Sequence, residues 1–94
     1  MNATTKLTKE LRVTNQAGLH ARVATMLAKK AREFTSDIQL RKASYGADCR
    51  SVLDLLALGA FPGDIVHLEA AGEDAAAVLD AFTELFDARF FEDE

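Results

Sequence analysis

One of the two histidines lies in the segment NQAGLHARVA, residues 15–24, directly ahead of an alanine-rich stretch. Gly18 precedes His20 by two residues, and Arg22 follows it by two. If a helix begins after His20, its first N–H groups have no intrahelical acceptor and its aligned peptide dipoles place partial positive charge there. An anion on the histidine ring would then face the N–H groups of Ala21 and Arg22. The spacing predicts an anion site beside a nucleophilic imidazole.

The chemistry that fits these residues is reversible phosphorylation of His20. The positive end of a helix disfavours a protonated ring and keeps a nitrogen lone pair available for attack. The Arg22 guanidinium matches the geometry of phosphate oxygens, and Gly18 allows a tight turn before the helix. Taken alone, a histidine such as His20 is more often an exposed loop residue without a role.

The elements that must position these residues follow from hydrophobic periodicity. Alternation predicts strands in KLTKELRV, IQLRK and IVHLEA, and the turn-rich ASYGADCR indicates a short fourth strand. Helical spacing predicts a helix from Ala21 to about Phe34, a short one in SVLDLLALGAF between Ser51 and Gly59, and a last one after the turn AGED. The order βαββαβα predicts an α+β fold with an antiparallel sheet covered by helices on one face.

Length and composition predict one domain over residues 1–94, with flexible ends near 1–5 and 90–94. The segment MNATTKLTKELRV lacks the apolar region of a signal peptide, and no apolar run is long enough to cross a membrane. Cys49 is the only cysteine, and no Cys/His cluster of metal-binding type occurs. We therefore expect a monomeric cytoplasmic protein without metal or cofactor, in which Cys49 and His67 have no chemical role.

Charge is unevenly distributed along the chain. Residues 1–50 contain ten Lys/Arg and four Asp/Glu, a balance of +6, whereas residues 51–94 contain one and eleven, a balance of −10. The basic half includes His20 and suits anions or acidic partners, although both halves could simply be solvated faces. An RNA-binding module is one alternative, but the net charge of −4 and the lack of interleaved aromatic residues argue against it. The basic residues behind that alternative are Lys29, Lys30, Arg32, Arg41 and Lys42.

Two motifs together carry a family resemblance. GLHAR followed by an alanine-rich amphipathic helix, and RSVLDLLALGA some thirty residues later, are similar to the HPr family of histidine phosphocarriers, both sugar-type HPr and nitrogen-type NPr. These are small proteins of the phosphoenolpyruvate-dependent phosphotransferase system (PTS). The resemblance extends from about Leu7 to Phe86 and implies an open-faced β-sandwich, a four-stranded antiparallel sheet with three helices on one side.

The resemblance implies roles for particular residues. His20 matches the histidine that accepts a phosphoryl group, on its Nδ1 atom, from enzyme I and donates it to IIA-type proteins. Arg22 matches the arginine that assists at the phosphohistidine. Ser51 matches a serine that a separate HPr kinase phosphorylates in some members, although as a helix N-cap it already has a structural role. A hydrophobic patch beside the histidine would dock onto partners, and it corresponds here to Val52, Leu53 and Leu56.

One departure from the family pattern is visible. The family usually has proline after HAR, and Val23 stands there instead. Proline suits a first helical turn, so valine loses some preorganisation but restores an N–H group near the phosphate. We expect a tuned site, with the sugar or nitrogen branch left open. Two further alternatives are a regulatory HPr-like protein that acts mainly by binding proteins, and a small α+β domain that binds a regulatory ligand.

Overall fold

The computed structural model describes residues 5–92, and these form the expected order βαββαβα. The strands are β1 (Lys6–Arg12), β2 (Asp37–Lys42), β3 (Tyr45–Asp48) and β4 (Ile65–Ala71). The helices are α1 (Ala21–Ala31), α2 (Val52–Leu58) and α3 (Ala75–Asp87), and a short turn of three residues, Arg89–Phe91, follows α3. The predicted fold class is therefore confirmed.

The four strands form one antiparallel sheet in the order β1-β4-β2-β3. Because side chains alternate across a strand, Val66, Leu68 and Ala70 of β4 all face the buried side, and Leu68 is paired with Leu40 of β2. The opposite face carries polar cross-strand neighbours such as Lys6 and Glu69, whose charged atoms lie 3.8 Å apart. The sheet is thus covered by the helices on one face only.

All three helices contribute an apolar stripe to one hydrophobic core. The helix residues in it share near-complete burial: Val23, Ala24, Leu27, Ala28 and Ala31 from α1, Leu55 and Leu58 from α2, and Ala75, Val78, Phe82, Leu85 and Phe86 from α3. Helix α1 ends at Ala31, shorter than the predicted boundary near Phe34. The reason is that the N–H groups of Glu33 and Phe34 bond three residues back, to Lys30 and Ala31, so the chain tightens out of the α-helical pattern.

The predicted ends of α2 are confirmed. The Ser51 hydroxyl accepts a hydrogen bond from the Asp54 N–H at 3.1 Å, and Gly59 ends the helix in the left-handed conformation, with φ of 67°. The start of α3, after the turn AGED, is not closed by such a side-chain bond. Asp74 does not cap α3 with its side chain; it accepts hydrogen bonds from Ser36 and Thr35, which hold the pKa of Asp74 at about 2.

Of the end expected to be flexible, residues 90–94, the structure describes residues 90–92, and these pack against the rest of the domain. Phe90 is fully buried, with its ring edge-to-face on Phe86 at a centroid distance of 4.9 Å, and Glu92 contacts the loop before α1. Periodicity does not reveal this packing because it lies beyond the last helical turn. Residues 1–4 and 93–94 lie outside the described residues. Within residues 5–92, no helix has the length and apolar character needed to cross a membrane.

Candidate functional site

His20 is the N-cap residue of α1. Its backbone is extended, its carbonyl accepts from the Ala24 N–H at 2.8 Å, and its Nδ1 accepts from the Arg22 N–H at 3.3 Å. The imidazole therefore occupies the place that a serine or aspartate side chain takes at most helix starts. The first-turn N–H groups of Ala21 and Val23 have no intrahelical acceptor, so an anion on Nδ1 would face them.

Gly18 gives the loop before α1 its shape. Its φ is 68°, and a Cβ added there would lie 2.8 Å from the Ala60 carbonyl oxygen. The same carbonyl accepts a hydrogen bond from the Leu19 N–H at 3.1 Å, which holds the loop against the segment that follows α2. The tight turn expected of Gly18 is therefore required by steric contact as well as by the backbone angle. Its own N–H donates to the Asn15 carbonyl at 3.3 Å.

Glu92 is a site residue that the sequence analysis missed. One carboxylate oxygen, Oε2, accepts from Asn15 Nδ2 at 2.6 Å and lies 3.4 Å from His20 Nε2 and 3.6 Å from Arg22 Nη2. The other, Oε1, accepts from the Ala17 N–H at 3.1 Å. The hydrogen bond from Asn15 lowers the pKa of Glu92, so the carboxylate is ionised at neutral pH.

Asn15, also missed, is the buried anchor of this arrangement. It is fully buried, and its amide nitrogen donates to both Gly18 O, at 2.8 Å, and Glu92. Its Oδ1 has no hydrogen-bond partner among residues 5–92. Since the carbonyl and the carboxylate are both acceptors, only the amide nitrogen can face them. An asparagine in a loop is a common turn residue, so the sequence carried no signal for this role.

Arg22 is close to His20, but its guanidinium is turned toward the C-terminal end. Nη1 donates to the Phe90 carbonyl at 2.8 Å and contacts Met26 Sδ at 3.2 Å. The structure thus brings Arg22, His20 and Glu92 together, while the guanidinium does not contact Nδ1. For Arg22 to contact a phosphate on His20, its side chain must turn away from the C-terminal end. Otherwise the guanidinium must bind the phosphate while it still contacts Phe90 and Glu92.

The predicted docking residues are unevenly exposed. Leu53 is 78% exposed and Leu56 40%, whereas Val52 is half-buried. Phe61, three residues beyond α2, is a further exposed apolar residue, and the Lys42 ammonium lies 5.3 Å from its ring centroid. Gly18 contacts the Ala60–Pro62 segment, so Phe61 lies next to the loop that precedes His20. Phe61 lies in a loop, so hydrophobic periodicity could not predict its exposure.

Ser51 contributes to stability through its cap hydrogen bond. We expect Ser51→Ala to lower the free energy of unfolding by about 1 kcal/mol, the usual effect of losing a serine N-cap, as measured by urea denaturation. Ser44→Ala, in the exposed turn between β2 and β3, is the matched control and should change stability little. Equal stability of the two variants would show that the bond to Asp54 contributes nothing.

Cys49 and His67 lie away from this chemistry. Cys49 is fully buried, and burial raises the pKa of its thiol to about 12, which leaves it unreactive at neutral pH. His67 is exposed on β4, paired in register with Glu10 on one side and Arg41 on the other. Neither residue contacts the His20 loop through any hydrogen bond or ion pair within residues 5–92.

The fold and this site together define a small one-sheet α+β protein with a histidine at a helix N-terminus. The family model described as "PTS HPr component phosphorylation site" matches residues 7–88. The chain is 43% identical over 88 residues to phosphocarrier protein NPr of Shewanella violacea, covering 94% of this chain and 97% of that protein. It is 34% identical over 87 residues to phosphocarrier protein HPr of Xylella fastidiosa, covering 93% and 98%.

Solved structures with a similar fold include phosphocarrier proteins of the same kind. HPr-C-His from Thermoanaerobacter tengcongensis superposes with a TM-score of 0.84 at 30% identity, over 96% of this chain and 99% of that one. The histidine-containing phosphocarrier protein of a mycoplasma superposes with a TM-score of 0.82 at 27% identity, over 88% and 96%. The chain belongs to the HPr family of PTS phosphocarrier proteins.

Proposed function

We propose that His20 accepts a phosphoryl group from phosphorylated enzyme I and donates it to a IIA-type protein of the phosphotransferase system. The protein would act as a carrier, itself consumed and regenerated, rather than as an enzyme that turns over a small molecule. The observation that carries the proposal is the place of His20 as N-cap of α1, with Nδ1 facing the first-turn N–H groups, in a chain of the HPr family. The expected cytoplasmic location stays a prediction.

The proposed chemistry is nucleophilic attack by Nδ1 on phosphorus. As the new N–P bond forms, the bond between phosphorus and the donor nitrogen breaks and its electron pair stays on the donor. The phosphoryl oxygens then meet the N–H groups of Ala21 and Val23 and the positive end of α1. The Arg22 guanidinium, which contacts Phe90 and Glu92, would add charge there after it turns toward the phosphate. Since Val23 is fully buried, its side chain belongs to the core while its N–H supports the anion.

The two alternatives from other classes have less support. A ligand-binding domain needs an enclosed, largely apolar pocket. The depression found, about 460 Å³, is open, lies on the polar outer face of the sheet and is lined by Lys6, Asp37, Gln39, Glu69 and Ala71. For RNA binding, three of the basic residues are paired with acids: Lys30 with Glu33, Arg41 with Glu69 and Lys42 with Asp64. Such pairing reduces the positive field that nucleic acid requires.

Intact mass measurement after incubation with enzyme I and phosphoenolpyruvate tests the proposal. We expect one phosphoryl group per chain, removed by acid as phosphorus bound to imidazole nitrogen is, and a phosphorus NMR signal that identifies Nδ1. Circular dichroism verifies that the protein is folded, and a known HPr verifies that enzyme I is active. No modification under those conditions would contradict the carrier function and favour a regulatory protein that acts by binding alone.

We further propose that partners dock on Val52, Leu53 and Leu56, because exposed apolar side chains mark interaction surfaces and the family resemblance places the docking patch beside the histidine. Leu53→Ser should weaken enzyme I binding roughly tenfold, the effect of losing one apolar anchor, as measured by calorimetric titration. Since Leu53 is already exposed, its thermal unfolding midpoint should stay unchanged. An unaltered affinity would place the docking surface elsewhere. Phosphorylation of Ser51 by an HPr kinase also remains a proposal, based on the family resemblance.

A further inference from the structure

The chain after α3 takes an unusual path to reach the His20 site. Arg89, Phe90 and Phe91 have φ of 55°, 54° and 59°, three consecutive non-glycine residues in the left-handed region. That conformation is unfavourable for residues with a Cβ and persists only where the surroundings compel it. Here the fully buried Phe90 holds the turn, and Glu92 is the residue that the turn delivers to the site.

Within residues 5–92, the partners of the Glu92 carboxylate are all hydrogen-bond donors. Asn15 Nδ2, the Ala17 N–H, His20 Nε2 and Arg22 Nη2 surround its two oxygens. The separation of 3.4 Å from His20 Nε2 is longer than a usual hydrogen bond, so the interaction is mainly between a charge and the N–H dipole. The carboxylate lies at the Nε2 edge of the ring, away from the Nδ1 edge that faces α1.

The partners of the two ring nitrogens favour the same tautomer of His20. Nδ1 accepts a hydrogen bond from the Arg22 N–H, so it carries a lone pair rather than a proton. Nε2 faces an ionised carboxylate, which favours a proton on that atom. These two partners, one from the helix start and one from the tail, both favour a proton on Nε2.

We propose that Glu92 is a positioning residue for phosphoryl transfer, one that holds the His20 proton on Nε2 and thereby selects Nδ1 as the acceptor. The inference rests on the proposed carrier function. When Nδ1 attacks phosphorus and the donor N–P bond breaks, the ring keeps its Nε2 proton and gains a positive charge. Glu92 stabilises that charge from the edge opposite the phosphate, where it repels the phosphoryl oxygens less than it would from the Nδ1 edge.

The variant Glu92→Gln tests the proposal, because it keeps the side-chain length and removes the charge. Nitrogen-15 NMR of the unphosphorylated protein in mildly alkaline buffer reports which ring nitrogen carries the proton. We expect the parent to show the proton on Nε2, and the variant to show a larger share on Nδ1. Glu84→Gln, the same change at an exposed position of α3, should match the parent. Identical nitrogen signals in parent and Glu92→Gln would overturn the proposal.

Transfer kinetics supply the second readout. Glu92→Gln should accept the phosphoryl group roughly tenfold more slowly than Glu84→Gln, the order of one lost contact to a charged group. A larger share of the product should carry phosphorus on Nε2, as the phosphorus NMR shift distinguishes. An unchanged rate with phosphorus on Nδ1 alone would refute the role of Glu92. If neither the parent nor the variants accept a phosphoryl group, the proposed carrier function is contradicted. The tautomer measurement still decides whether Glu92 holds the proton on Nε2.

Discussion

His20→Ala should abolish phosphoryl acceptance while the protein remains folded. Methyl replaces the nucleophile, and no other group in residues 5–92 stands at the first turn of α1 with a nitrogen lone pair. The variant loses the hydrogen bond from the Arg22 N–H to Nδ1, which is equivalent to losing an N-cap and costs about 1 kcal/mol. That is small beside the stability of a typical domain, about 5–15 kcal/mol. Function and stability should therefore separate.

The second histidine provides the matched control. His67→Ala removes an imidazole from the exposed face of β4, and it should accept one phosphoryl group as the parent does. Intact mass after incubation with enzyme I and phosphoenolpyruvate measures acceptance, and thermal unfolding monitors the fold. Phosphorylation of His20→Ala would move the acceptor to another residue. Unfolding of His20→Ala would show that the histidine is needed for structure.

The parts of the fold that depend on local pattern could be predicted. The sheet strands and α3 follow from hydrophobic periodicities of two and 3.6 residues. The ends of α2 follow from Ser51, whose side chain caps the start, and from Gly59, whose backbone freedom suits the end. His20 was predicted at a helix start for the same reason. These features depend on residues within a few positions of one another, and such information is present in a single sequence.

The tail could not be predicted because nothing local specifies it. The hydrogen bond from Asn15 to Glu92 joins residues 77 apart, and that from Arg22 to Phe90 joins residues 68 apart. Residues 89–92 and their neighbours include no glycine. The residue types therefore give no indication of a left-handed turn. Charge counting did not reveal this contact either. The acidic half of the chain supplies Glu92 to a site that the counts placed in a basic environment.

Phe90→Ala should be the most destabilising single change in the tail. The ring is fully buried against Phe86, and truncation of a buried phenylalanine usually costs about 3–5 kcal/mol through lost apolar burial and the cavity left behind. The three left-handed residues cost about 1–2 kcal/mol each, so relaxation of the turn in the variant would recover part of the loss and place the net effect toward the lower end of that range. Without the ring, the turn loses its main support, and the Arg22 and Glu92 contacts should be lost with it.

Phe91→Ala is the internal control for this prediction. Phe91 shares the left-handed backbone but is 71% exposed, so its truncation should change the free energy of unfolding by no more than about 0.5 kcal/mol. Urea denaturation measures both variants, and the nitrogen-15 signals of His20 report whether Glu92 still faces the ring. If Phe90→Ala is as stable as Phe91→Ala, the tail is not held by its core contact. A destabilised Phe90→Ala with unchanged His20 signals would show instead that the polar contacts of Glu92 hold it at the site without the Phe90 ring.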